Sequence, residues 1–76
     1  MAKTKVRAVP TLAELRVQAG LTQMQLAVAA GLTGPARISD WERGMRKPSI
    51  LYIPKIAKAL GVTSDVVIES VQHDRT

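Results

Sequence analysis

The chain of 76 residues has no cysteine and no phenylalanine, and only one tryptophan, one tyrosine and one histidine. Without cysteine, neither disulfides nor a thiolate zinc site can stabilise the fold. A chain this short must then rely on economical packing or on a partner. Trp41 and Tyr52 are too few to supply the stacked rings that single-strand and RNA-binding modules use. His73 lies close to the end of the chain, and no paired acids face one another. Ser39 has no base to activate it, so the residues do not assemble an enzyme site. No metal or other cofactor is expected. The apolar runs are too short to cross a bilayer and no signal-peptide pattern is present, so a cytoplasmic protein with no membrane partner is expected.

What is present is positive charge. The net charge is +5, and the excess is uneven. Residues 1–47 contain eight Lys or Arg against the three acids Glu14, Asp40 and Glu42. From Pro48 onward, Lys55, Lys58 and Arg75 are balanced by Asp65, Glu69 and Asp74. Such an imbalance suits a polyanionic partner, although it also serves solubility alone. Given the few rings, duplex DNA is the better match among polyanions.

The periodicity predicts five short helices and no strand. Pro10 and Thr11 open the first, with Leu12, Leu15 and Ala19 on one face, and Gly20 closes it. Thr22 caps a second over Gln23 to Ala30, which Gly31 stops. Thr33, Gly34 and Pro35 introduce a third, from Pro35 to about Arg43, closed by Gly44. "MRKPS" reads as an exposed basic loop. Pro54 would break a helix begun at Ser49, so Ile50–Ile53 is read as an apolar turn with Ile53 extended, and "PKIAKAL" as the fourth helix. Thr63 caps a fifth, from Ser64 to about Val71. The expected core is Leu12, Leu15, Leu21, Leu26, Ala27, Ile38, Trp41, Ile53, Ile56, Ala57, Leu60 and Val66. Residues 1–9 read as a flexible basic arm, 10–71 as one domain and 72–76 as a disordered tail.

The segments "LRVQAGLTQMQLAVAAGL", "ISDWERGMRKPS" and "IAKALGVTSD", in this order and spacing, resemble the Cro/C1-type (lambda-repressor-like) helix-turn-helix regulators over roughly Leu12 to Val67. The resemblance implies an all-α, five-helix domain whose second and third helices form the helix-turn-helix. Ala27 is small where those helices cross, Gly31 is suited to a positive φ at the turn, and Ile38 fills the angle between them. Arg16 and Glu42 match an ion pair that fixes the angle of the third helix.

The resemblance also implies a DNA-contacting set. Gln23, behind Thr22, matches a glutamine that holds a phosphate and braces the third helix. Thr33, Pro35, Ala36, Ser39 and Asp40 fall at or beside positions that meet base edges, and Arg37 matches one that touches backbone or bases. Arg43, Arg46 and Lys47 match phosphate contacts. Two departures stand out: the turn carries one extra residue at Thr33, and Pro35 and Ala36 cannot hydrogen-bond to bases. Base reading would fall to Arg37 on guanine, Asp40 on cytosine N4 and Ala36 against a thymine methyl. Asp40 has the alternative of supporting Arg37 or Arg43 as a surface pair. Lys3, Lys5 and Arg7 would follow a minor groove or form a disordered tail.

The implied function is sequence-specific, repressor-like regulation of transcription. The expected form is a homodimer on a pseudo-palindromic operator, joined through Val67, Ile68 and Val71 of the last helix, unless these complete the core. The alternative is an antitoxin or another interaction module that uses the same fold to bind a protein partner.

Overall fold

Thr11 begins the ordered architecture with a reciprocal cap. Its hydroxyl accepts from the Glu14 N–H, and its own N–H donates to the Glu14 carboxylate, which satisfies two orphan donors at once. The computed structural model describes residues 10–71. From this cap α1 runs Leu12–Gln18, followed by α2 Gln23–Ala29, α3 Ala36–Glu42, α4 Ile53–Leu60 and α5 Ser64–Val71. Thr22 and Gln25 repeat the same cap at the head of α2. Among the described residues there is no strand. The expected arm at 1–9 and tail at 72–76 lie outside the described residues.

The turn from α2 into α3 is set by Gly31, at φ +82°. Its N–H donates to the Val28 carbonyl, and the next N–H, of Leu32, donates back to Ala27, so two end carbonyls of α2 are satisfied. The left-handed backbone that allows this is one an L side chain resists. The same pair of bonds closes α3 at Gly44 and Met45, onto Trp41 and Asp40.

Each helix contributes an apolar stripe to one core. In α4 the buried residues are Ile53, Ile56, Ala57 and Leu60, the spacing of a single helical face. Leu12 and Leu15 of α1, Leu26 and Ala27 of α2, and Ile38 and Trp41 of α3 meet them. α2 packs on both α3 and α4, α1 on α3 and α5, and α4 on α5. Ser70 is the one polar residue buried among those described, and its hydroxyl donates to the Val67 carbonyl of its own helix.

Several expectations need correction. Leu21 and Val66 only flank the core, whereas Val67 and Val71 lie within it, as does Ala30 on the inner face of α2 where the spacing puts it. The inward face of α5 is Val67, Ser70 and Val71, so Val66, one position earlier, falls to the edge. Val67 is 0% and Val71 5% exposed, which removes both from any two-fold interface through this helix and leaves only Ile68, at 38%.

Ile53 is helical, not extended. Tyr52 is the cap residue in right-handed helical conformation, and Pro54 falls within the first turn of α4, where a missing N–H costs nothing. Burial of Ile53 outweighs the extended preference of a residue before proline. Pro35, not Thr33 or Gly34, is the cap residue of α3, which therefore has no side-chain cap bond.

Ile38→Ala should cost about 2–5 kcal/mol, because it leaves a cavity where α3 meets the core. Val17→Ala, at a residue 65% exposed, should change stability by less than about 0.5 kcal/mol. Thermal or urea unfolding of the two variants checks the pair.

Candidate nucleic-acid interface

α3 has two faces with opposite jobs. Ile38 and Trp41 are buried, while Ala36, Arg37 and Arg43 are exposed and Ser39 and Asp40 are half-buried. Between the faces sits Glu42, whose carboxylate receives donors from two other helices. The Arg16 guanidinium of α1 donates through Nε to Oε2 at 2.5 Å and through Nη2 to Oε1 at 3.3 Å. The Gln23 amide at the head of α2 donates to Oε1 at 2.9 Å. Arg16 also donates through Nη1 to the Leu21 carbonyl, in the link between α1 and α2. The side chains of Arg16 and Glu42 are only 16% and 7% exposed. A pair so nearly buried is stable only when its remaining hydrogen-bonding capacity is met, as Gln23 and Leu21 do here.

On the outward face, Asp40 is a hub for cations. Its Oδ1 accepts from Arg43 at 3.2 Å, and its Oδ2 lies 3.3 Å from Arg46 Nε. The Met45 N–H, bound to the Asp40 carbonyl, holds the loop in the position that brings Arg46 round. These exposed pairs add little stability, but they order two arginines on one side of α3. Of the alternatives for Asp40, the geometry shows the surface pair, with Arg43 and not with Arg37.

Arg37 instead meets Tyr52. Its Nη1 donates to the phenolic oxygen at 3.2 Å, and its guanidinium carbon lies 5.9 Å from the ring centroid. Tyr52 in turn packs on Trp41, with centroids 5.5 Å apart and planes tilted by 46°. Beside them, Gly31, Leu32, Thr33, Gly34, Ala36, Arg37 and Tyr52 line an open hollow of about 370 Å³. Nothing local in the sequence ties Tyr52 to Arg37, fifteen positions away, so the sequence does not mark it as a site residue.

The remaining positions are simply placed. Pro35 and Lys47 are exposed, and the Thr22 hydroxyl is engaged as the α2 cap. The structure thus gathers Arg16, Gln23 and Glu42 at the inner joint, Arg37 with Thr33 and Ala36 at the hollow, and Asp40 with Arg43 and Arg46 at the far end. Lys3, Lys5 and Arg7 lie outside the described residues. Among the described residues, no group of three or more His, Cys, Asp or Glu could hold a metal, and no helix is long and apolar enough to cross a membrane.

A helix-turn-helix family model matches residues 12–67, more than half of the chain. The chain is also similar to proteins from two strains of Mycobacterium tuberculosis, each described as an uncharacterized HTH-type transcriptional regulator. Each is 42% identical over 52 residues, covering 68% of this chain and 36% of the relative. The chain therefore spans about a third of the length of these relatives.

Arg16→Met should destabilise the domain by about 3 kcal/mol or more, because it strands the Glu42 charge at the joint of three helices. Removing both partners, as Arg16→Met with Glu42→Leu, should cost less than the sum of the single changes. Equilibrium unfolding of the four proteins in a double-mutant cycle reads this coupling.

Proposed function

The chain belongs to the Cro/C1-type helix-turn-helix family, and on that premise we propose that it is a sequence-specific, repressor-like regulator that inserts α3 into the major groove of duplex DNA. The observation that carries this reading is the division of α3 itself. One edge is clamped by Arg16 and Gln23 through Glu42, while the opposite face offers Ala36, Arg37 and Arg43 to solvent. A helix held at a fixed angle with a polar, cationic outer face is what major-groove reading requires.

The roles divide by chemistry. Arg37 reads a base, best a guanine through two parallel donors, and Pro35 and Ala36 lie against thymine methyl groups. Arg43, Arg46 and Lys47 neutralise phosphates, with Asp40 ordering the first two. Gln23 uses one amide hydrogen on Glu42 and keeps a second for a phosphate oxygen. Thr22, Thr33 and Ser39 lie close enough in sequence to these residues to add backbone contacts. The arm residues Lys3, Lys5 and Arg7 follow the adjacent minor groove.

The protein acts as a homodimer, reading two half-sites about 34 Å apart. Exposed Ile50, Leu51 and Ile68 supply apolar surface for the association that Val67 and Val71 do not.

Selection from random duplexes should return a pseudo-palindrome. Arg37→Ala should change the base preference at one position of each half-site, whereas Lys47→Ala should weaken all sequences alike and lower the salt slope by about one. Affinity that stays flat between low and moderate salt would contradict the reading and favour a protein partner, as in an antitoxin.

A further inference from the structure

Arg37 is the exposed side chain on which base reading rests, and a long exposed arginine has many conformations in which it would contact only backbone. The geometry points to Tyr52 as the residue that prevents this: we propose that Tyr52 is a positioning residue for Arg37 and through it sets base preference. This inference rests on the DNA-binding reading above.

Tyr52 is well placed for the task because it belongs to neither α2 nor α3. It caps α4, and its ring is seated on Trp41, which is itself almost fully buried in α3. The phenol is therefore fixed to the core on one side and faces Arg37 on the other. Its hydroxyl oxygen accepts one Nη1 hydrogen of Arg37, and the guanidinium carbon stands within reach of the ring face. Two contacts of different kind select one orientation of the guanidinium. The hollow lined by Thr33, Gly34 and Ala36 gives the unrestrained side chain room to turn elsewhere.

The bond to Tyr52 also decides which donors remain. A guanidinium has five N–H groups in a planar fork. With one Nη1 hydrogen engaged, the Nε–Nη2 edge stays clear, and that edge can pair with O6 and N7 of guanine. Tyr52 thus holds Arg37 with its bidentate edge outward before DNA arrives, which lowers the ordering cost of the contact.

The test is a double-mutant cycle of Tyr52→Phe and Arg37→Ala in the full chain, read as affinity for the selected duplex and for its single-base variants. Tyr52→Phe keeps the ring on Trp41 and removes only the acceptor. Arg37→Ala should abolish preference at one base pair. Tyr52→Phe should reduce preference at that same base pair by about tenfold, leave the salt slope unchanged, and have no further effect once Arg37 is alanine.

If Tyr52→Phe retains full preference while Arg37→Ala loses it, the positioning role is overturned and the DNA reading stands. Equal loss of affinity for every sequence, persisting in the Arg37→Ala background, would mark a structural role and also overturn it. If Arg37→Ala leaves all preferences intact, base reading by Arg37 fails and the role of Tyr52 fails with it.

Discussion

The Glu42 carboxylate is the constraint on which the geometry of α3 depends. Three donors from α1 and α2 converge on it, so the end of α3 is tied to both preceding helices through one charged group. The apolar contacts of Ile38 and Trp41 bring α3 against the core but are tolerant of rotation, because dispersion has no strong direction. Directional bonds at Glu42 remove that freedom. Specificity of angle, more than net stability, is what such a nearly buried pair contributes, since its desolvation offsets much of its attraction.

With the inner edge fixed, the outer face becomes a surface of defined spacing. Arg37 is restrained near the head of α3 by Tyr52, and Arg43 and Arg46 are ordered at its far end by Asp40. The helix has only seven residues, from Ala36 to Glu42, and does not need more. Its length serves presentation, and its stability comes from tertiary contacts, as isolated helices this short do not persist in water.

Much of this was legible in the sequence because its causes are local or periodic. Thr11 with Glu14, and Thr22 with Gln25, announce helix starts within four residues, and the stripe Ile56, Ala57 and Leu60 repeats at helical spacing. The positive φ at Gly31 follows from its place after an apolar helix. The failures arise where a distant contact decides. Ile53 turned helical because the core claimed it over a local bias before Pro54. The one-residue error at Val66 and Val67 reflects the phase of α5, which only its partners α1 and α4 fix. The pairing of Asp40 with Arg43, three positions on, was among the readings of the sequence, but its second partner, Arg46, is set by the loop. Tyr52 was invisible as a neighbour of Arg37 because the connection runs through the packing of Trp41.

The most direct measurement of the central claim is NMR mapping of backbone amide shifts as a selected duplex is titrated into the protein. The account predicts that the largest changes fall on residues 35–47 and on the head of α2 at Gln23, with α5 nearly silent. Changes centred on α4 and α5, with α3 unmoved, would contradict it.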